Sequence, residues 1–271
     1  MEQFTIISEQ ELEDKNATIE REAAEAIKKT EQALETIDQD VLRDIFYDIL
    51  TPAEAQEAWK GFIPLESVHV VYDQKVRSRG RFSSNVDNLD EAHIILNSEK
   101  LARTSVEDFD LAVLYTYVHE QVHALSTDLK TYNGYGEKDR KFLGFKKIEK
   151  DFRDKDIDVS YVELNEGMTE IIAEEVAREY LRRTGQVSGK QRDAHHAYNS
   201  VAVYMQYKIL VDEIIAELAT EYQQPGDVIK KAMIRSYFSS KSPSDNFIDW
   251  LEENHTGIAK KALNISKNSL T

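Results

Sequence analysis

The amino-acid sequence predicts an α+β fold that is predominantly helical, and three observations support that class. The 271 residues include only 10 Gly and 4 Pro, so few residues interrupt helices. Long charged stretches are rich in Ala, Glu and Lys, which favour helical structure. Segments rich in β-branched residues are confined to the middle of the chain, where a small sheet is expected.

The charge and the cysteine content exclude several classes of function. The chain carries 34 Lys and Arg against 50 Asp and Glu, a formal net charge of -16, which argues against nucleic acid or an anionic membrane surface as a partner. It contains no cysteine, so a disulfide framework, a cysteine nucleophile and a thiolate metal site are excluded. Any metal ion would therefore be held by histidine and carboxylate side chains.

Neither a membrane span nor an export signal is expected. No segment approaches the roughly 18 consecutive apolar residues of a membrane-spanning helix. The N-terminal residues also lack a basic head followed by an apolar run, which is typical of secretory signals. These features predict a soluble protein with a cytoplasmic location.

Start and stop signals along the chain predict the order of the elements. A capping box at residues 8–11 opens a long polar helix to about Thr36, and residues 51–54 open a second helix. Strands are expected at residues 68–72, 92–97, 141–148 and 157–162. Helices are expected from about residue 105, with a buried stripe at Leu111, Leu114, Val118, Val122 and Leu125, and then from about residues 165, 192, 227 and 245.

The predicted helix after the second strand contains an H-E-x-x-H motif at residues 119–123. On a helix, His119 and His123 lie one turn apart on one face, so both imidazoles can bind one tetrahedral zinc ion. Glu120 is then beside the ion, where its carboxylate can take a proton from a water molecule that the cation has made acidic. The motif therefore predicts one zinc ion per chain, with Glu120 as the general base.

A second acidic group follows in the segment Asn-Glu-Gly-Met-Thr-Glu at residues 165–170. Glu166 and Glu170 share one helix face, so one can be the third zinc ligand and the other a hydrogen-bond acceptor for an imidazole. The same four-residue spacing continues to Glu174, and such rows also occur on ordinary solvated helix faces. The H-E-x-x-H motif favours the metal interpretation.

With these two motifs, the sequence resembles the gluzincin metallopeptidases, and most closely bacterial and phage zinc peptidases with an Asn-Glu-Gly-x-Thr-Glu segment. Such peptidases often carry a Gly-Phe pair before that segment and Gly-Asp and Tyr-Phe pairs after it. Here the corresponding pairs are at residues 144–145, 226–227 and 237–238, and the resemblance covers about residues 67–250.

The resemblance implies a zinc metallopeptidase, in particular an endopeptidase, that hydrolyses a peptide or protein substrate with a water molecule activated by Glu120. The implied site residues are the zinc ligands His119, His123 and Glu166, together with Asn165 and Glu170 beside them. Glu170 would orient His119. The interval of 43 residues between His123 and Glu166 is longer than in thermolysin-like enzymes, so Glu170 stays open as the third ligand.

The change from charged helical sequence to β-rich sequence, together with the resemblance, divides the chain into two parts. Residues 61–271 would form a zincin-like metallopeptidase region, and residues 1–60 a helical N-terminal extension. Within the larger part, the sheet and the motif helix are expected in residues 61–130, a hairpin and the third-ligand helix in 140–184, and the C-terminal helices in 190–268. The oligomeric state stays open.

Two further parts of a peptidase site are expected outside the motifs. The developing oxyanion needs a hydrogen-bond donor, for which gluzincins use a Tyr or His. The candidates are Tyr198 and His196, with Tyr161, His195 and Tyr204 as further choices. An extended substrate can pair with a sheet edge, which makes Ile94, Ile95 and Leu96 in the predicted strand 92–97 candidate substrate-binding residues.

Residues 75–81, here called the basic loop, stand out in so acidic a chain. Their Lys and Arg side chains can bind an acidic residue or a terminal carboxylate of a substrate, although a solvated loop would need no partner. The surrounding acidic surface would instead favour basic or neutral peptides. The sequence therefore leaves the specificity open.

Two rival interpretations remain. One is a helical interaction protein whose metal site is structural or vestigial, which the charged N-terminal helices would suit. The other is a di-iron carboxylate bundle, in which Glu120 and His123 would form one Glu-x-x-His motif and Glu252 and His255 the other. A structural zinc ion leaves Glu120 without a role, and strands in the middle of the chain do not fit a bundle.

Overall fold

The structure is a computed structural model that describes residues 9–50, 61–85, 88–104, 109–133, 138–151, 157–186, 202–238 and 247–268. Its helices are α1 (Glu9–Glu35), α2 (Gln39–Ile49), α3 (Ser98–Ala102), α4 (Phe109–Leu125), α5 (Val162–Arg183), α6 (Ala202–Tyr222), α7 (Gly226–Phe238), α8 (Phe247–Asn254) and α9 (Thr256–Asn268). Its strands are β1 (Val68–Val71), β2 (Gly80–Asn85), β3 (Asn88–Asn97), β4 (Thr127–Asn133), β5 (Lys138–Leu143), β6 (Lys146–Asp151) and β7 (Ile157–Ser160). The predicted α+β class with predominantly helical character is confirmed. In the described part of the chain, none of the helices combines the length and the apolar character needed to cross a membrane.

The first sheet has β3 at its centre, between β1 and β2. Strand β1 runs parallel to β3, with Val68 opposite Ile94, and β2 runs antiparallel to β3, with Phe82 opposite Ile94. The prediction that residues 92–97 offer a free edge to a substrate is therefore wrong, because both edges of β3 are already paired. Among the described strands, the open edge on this side of the sheet belongs to β2.

The side chains of β3 support the same correction. Ile94 and Leu96 are fully buried in the core, and Ile95 is half-buried on the opposite face of the sheet. None of these side chains is placed to bind a substrate along an edge. An alternating apolar pattern is the same for a central strand and an edge strand, and β2 begins at the end of the basic loop, where no strand was expected.

Strands β4 to β7 form a second, antiparallel sheet in which each strand pairs with the next along the chain. The continuous strand predicted for residues 141–148 is wrong, because residues 144–145 form the tight turn between β5 and β6. Gly144 has a φ of 59°, a left-handed conformation that glycine adopts without strain. Apolar residues on both sides of this glycine hid the turn.

Helix α4 is buried on nearly all sides, between the first sheet and α5. The predicted buried stripe is confirmed at Leu114, Val118, Val122 and Leu125, whereas Leu111 is half-buried. On another face of the helix, the buried Gln121 accepts a hydrogen bond from the backbone N–H of Ile63 and donates one to the carbonyl of the same residue. The segment that leads into β1 is thereby fixed to α4.

The first two helices belong to the same hydrophobic core. Helix α1 packs against α3, α4 and β1, and α2 packs against α5. Leu42, Ile45 and Phe46 of α2 are fully buried in the cluster that also contains the apolar residues of α4 and α5. The backbone N–H of Asp38, the N-cap of α2, donates to the hydroxyl of Tyr180 on α5 at 2.8 Å. The helix predicted to begin at residues 51–54 lies outside the described residues.

The turn at Gly144 provides a test of the fold. A Cβ at this position would lie 2.5 Å from the ring of Tyr237, whereas a Cβ on Gly185, which has a φ of 70°, would have nothing within 4 Å. Gly144→Ala should therefore lower the free energy of unfolding by about 3 kcal/mol, because backbone strain and overpacking add. Gly185→Ala should cost only about 1 kcal/mol of strain. Urea denaturation measures both, and equal losses would contradict the close packing of the turn.

Candidate metal centre

The two histidines of the H-E-x-x-H motif lie on α4 as expected from helical spacing. Their Nε2 atoms are 3.2 Å apart, and their rings meet edge to face with centroids 4.9 Å apart. His119 is 4% exposed, and His123 is half-buried. Both imidazoles therefore present one nitrogen to the same point between α4 and α5.

Glu166 approaches that point from α5. Its Oε2 lies 3.5 Å from Nε2 of His119 and 3.5 Å from Nε2 of His123. Ligand atoms bound to a tetrahedral zinc-like ion at about 2.0–2.1 Å are about 3.3–3.4 Å from each other. The triangle of donor atoms has nearly these edges, so His119, His123 and Glu166 fit a metal ion and can hold one.

Hydrogen bonds to the other ring nitrogens fix the orientation of both histidines. Nδ1 of His119 is 3.1 Å from Oε2 of Glu170, and Nδ1 of His123 is 3.4 Å from Oγ1 of Thr169. A proton on each Nδ1 leaves the lone pair of each Nε2 free for a metal ion. Glu170 thus lies where it can orient His119, while Glu166 lies between the two Nε2 atoms.

The hydroxyl of Thr169 forms further hydrogen bonds with residues of α5 and α7. Its hydroxyl donates to the backbone carbonyl of Asn165 at 2.9 Å and lies 2.6 Å from the hydroxyl of Tyr237. Because a hydroxyl has one proton and two lone pairs, Thr169 can give its proton to Asn165 and accept from both Tyr237 and His123. All three contacts of this buried hydroxyl are then satisfied.

The side chain of Asn165 joins the turn of the second sheet to α5 by a hydrogen bond. Its Oδ1 accepts a hydrogen bond from the backbone N–H of Phe145 at 3.0 Å, and the N–H of Gly144 donates to the carbonyl of Ser126 at 2.9 Å. The ring of Phe145 also packs edge to face on Tyr237, with centroids 5.1 Å apart. The Gly-Phe and Tyr-Phe pairs of the sequence therefore meet at the centre, around Asn165.

A glycine in α5 permits the close approach of the next helix. A Cβ on Gly167 would clash with the backbone carbonyl oxygen of Tyr207 on α6. The absence of a side chain at this position lets α6 pack directly against the turn of α5 that carries Glu166. The ligand helix is therefore held from both sides, by α4 and by α6.

The electrostatics of the centre favour positive charge. Burial would raise the pKa of Glu166, but attraction to His123 and hydrogen bonds with both histidines hold it well below its usual value. Burial would lower the pKa of His119, but hydrogen bonds with Glu166 and Glu170 hold it well above its usual value. The two shifts are the two sides of one attraction, because the carboxylates stabilise the charged imidazole of His119 and the imidazoles stabilise the charged carboxylate of Glu166.

Glu120 lies beside the centre and next to β2. A Cβ on Gly80 would be 2.6 Å from Cγ2 of Thr116 and 3.0 Å from Oε1 of Glu120, so the glycine lets β2 lie close to both side chains. Burial raises the pKa of Glu120, against the lowering effect of the two histidines and of a hydrogen bond from the backbone of Phe82. A buried carboxylate with a raised pKa is suited to accept a proton.

The structure brings together most of the predicted site residues and separates others. His119, Glu120, His123, Asn165, Glu166 and Glu170 converge between α4 and α5. Tyr161 is wrong as an oxyanion donor, because it is fully buried and its hydroxyl donates to Glu252 at 2.9 Å. Tyr198, His196 and His195 lie outside the described residues, as does the side chain of Tyr204, so their role stays a prediction.

Four residues near the centre were not assigned a role from the sequence. They are Gly80, Thr169, Tyr207 and Tyr237. Burial and the negative charges of Glu163 and Glu166 raise the pKa of Tyr207. The hydroxyl of Tyr207 is therefore subject to the charge of the two carboxylates on α5. Thr169 and Tyr237 belong to the two sequence motifs, the 165–170 segment and the Tyr-Phe pair, so the sequence could have indicated them. Nothing in the local sequence marks Gly80 or Tyr207.

The di-iron interpretation is wrong. His255 contacts Tyr222 through Nε2 at 2.9 Å and Glu221 through Nδ1 at 3.1 Å. Glu252 is engaged by Tyr161, so neither member of the second Glu-x-x-His motif reaches His123. Within the described ranges, His119, His123 and Glu166 form the one group of three or more side chains that meets metal-binding geometry.

Comparisons with known proteins add no further information on this centre. No protein-family model matches the chain, and neither the curated proteins nor the solved structures contain a significant match.

Removal of single carboxylates tests the metal centre. Glu166→Gln should weaken binding of a divalent transition metal by at least about a hundredfold, because it removes a ligand, and Glu170→Gln by about tenfold to a hundredfold, because it frees His119. Glu174→Gln is the matched control one turn further along α5, where the carboxylate pairs with Arg178 and Lys208. Titration calorimetry should give a control affinity within about twofold of the unmodified protein. Equal losses in all three variants would contradict this ligand assignment.

Proposed function

We propose that this protein is a zinc-dependent metallopeptidase, and more specifically an endopeptidase. The observation that carries the proposal is the arrangement of four side chains. Two imidazoles and one carboxylate form a metal-binding triangle, and Glu120, which is not part of that triangle, is buried beside it. A set of two His and one Glu with an open fourth position is typical of catalytic zinc sites.

The residues of the chain have separate tasks in this proposal. A bound zinc ion would supply Lewis acidity to the scissile carbonyl and to the attacking water. Glu120, buried beside the metal-binding triangle, accepts the proton of that water and later gives it to the leaving amine. Glu170 and Thr169 keep the two imidazoles in the orientation that binding requires.

The substrate would lie along β2 rather than β3. Strand β2 is beside Glu120, and the backbone of Phe82 already forms a hydrogen bond with this carboxylate. An extended peptide that adds to the open edge of β2 would continue the antiparallel pairing of the sheet. Its backbone would then pass beside Glu120.

The interaction-protein interpretation explains less of the site. A structural metal ion normally has four protein ligands, whereas the described residues supply three. It also assigns no task to Glu120, whose burial costs free energy unless the carboxylate is used or paired. The two interpretations differ in what a change at Glu120 should do.

Glu120→Gln should retain zinc and lose peptidase activity by a factor of about a hundred to ten thousand, because an amide cannot accept the proton. Cleavage is measured on an unfolded protein such as casein and on a mixture of peptides. Zinc content is measured on the same samples by mass spectrometry, with one ion per chain expected. Glu174→Gln serves as the control that removes a carboxylate from outside the metal-binding group.

Two results would overturn the proposed function. Cleavage that persists in the Glu120→Gln variant would show that another group activates the water. Absence of zinc after reconstitution of the unmodified protein would show that the histidines have a different role.

A further inference from the structure

The basic loop, residues 75–81, is the most concentrated positive charge in the described structure. It holds Lys75, Arg77, Arg79 and Arg81 in a chain with a net charge of -16. Lys75, Arg77 and Arg81 are exposed, and none forms an ion pair with a described acidic residue. Because the rest of the surface is acidic, this loop is the place where a negatively charged partner would meet the most favourable potential.

The backbone of the basic loop is fixed rather than loose. The buried Asn97 of β3 donates to the carbonyl of Asp73 at 2.8 Å and accepts from the N–H of the same residue at 3.1 Å. The carboxylate of Asp73 in turn accepts from the N–H of Lys75 at 2.8 Å and of Val76 at 3.2 Å. The carboxylate of Asp73, just before the loop, is therefore bonded to the loop backbone, and the backbone that carries the cations is ordered before a partner binds.

The basic loop also leads directly into the edge strand beside Glu120. Gly80, which belongs to both the loop and β2, is the residue that contacts Glu120. Arg79 and Arg81 are its immediate neighbours in the chain. Because side chains alternate along a strand, Arg81 projects to the face of the sheet opposite the one on which Gly80 lies against Glu120, and it does so on the edge strand to which a peptide would add.

From this arrangement we infer that the basic loop selects peptide substrates with acidic side chains close to the scissile bond. The inference rests on the proposed function and names the substrate class for the same site. Charge complementarity carries it, since guanidinium groups bind carboxylates with paired hydrogen bonds as well as by charge. The acidic remainder of the surface would repel such a peptide elsewhere and so favour binding at the loop.

The geometry of strand pairing determines which substrate residues the loop could contact. A peptide paired to β2 would lie about 4.8 Å from it and advance about 3.4 Å per residue. Long side chains reach partners directly opposite and diagonally across, at about 5 to 8 Å. Arg81 would therefore contact a substrate residue next to the one opposite Gly80, and the exposed cations of the loop, which crosses the end of β3 at Asn97, would add to the positive potential at that end of the peptide.

The first experiment uses the full-length, zinc-loaded protein on a peptide library made from a digested proteome. Mass spectrometry of the products should show Asp and Glu enriched within about three positions on one side of the cleaved bond. Cleavage without enrichment of acidic residues would overturn the inference and leave the proposed function standing. Cleavage of no peptide at all would overturn the proposed function.

The second experiment compares two synthetic peptides that share the scissile bond but carry Glu or Gln at the enriched positions. The ratio of kcat/KM for the Glu peptide to that for the Gln peptide should exceed one, and should fall about tenfold in the double variant Arg77→Gln/Arg81→Gln. Lys231→Gln/Lys260→Gln removes the same charge from exposed positions on α7 and α9 and should leave the ratio unchanged. Equal ratios in all three proteins would overturn the inference.

A binding measurement keeps the inference testable without turnover. Fluorescence anisotropy of the two labelled peptides with the Glu120→Gln variant should give tighter binding of the Glu peptide, and the preference should weaken as the salt concentration rises. Adding Arg77→Gln/Arg81→Gln should abolish the preference. Equal binding of both peptides, or tighter binding of a single-stranded oligonucleotide than of the Glu peptide, would overturn the inference.

Discussion

The burial of negative charge between two helices is the constraint on which the site depends. Glu120, Glu166 and Glu170 are brought together with two imidazoles where α4 packs on α5. Carboxylates in such a place cost a large free energy unless positive charge accompanies them. A metal ion held by the imidazoles would meet that need, and the surrounding hydrogen bonds fix the position of the nitrogen atoms that would bind it. The close helix packing, the glycine in α5 and the network through Thr169 all serve this one arrangement.

The parts of the site that follow from local geometry were predictable from the sequence. Helical spacing alone places His119 and His123 on one face, and the same rule puts Glu166 and Glu170 on one face of the next motif helix. The contact of Thr169 with Tyr237 joins residues that are 68 positions apart in the chain. No periodicity encodes such a contact, because it depends on how α7 folds back onto α5.

The errors in the predicted fold concern strands, and they have a common physical origin. A strand with apolar residues on one face has the same sequence pattern at the centre of a sheet as at its edge. The pattern of β3 therefore suggested an edge strand, whereas β3 is central and β2 is at the edge. Strand β2 begins within a stretch of arginines and a glycine, residues that suggest a loop. Gly144 divides β5 from β6 by its backbone conformation alone. In each case, tertiary pairing outweighed the local pattern.

The contacts of the first two helices have a consequence for the ancestry of the site. Helix α2 is joined to α5 by the bond between Asp38 and Tyr180 and by the ion pair between Asp48 and Arg183, and α1 covers α4. A gene segment that encoded only α4 and α5 would leave their outer apolar faces exposed to water. The inheritance of the two motifs is therefore tied to that of α1 and α2, against which α4 and α5 bury those faces.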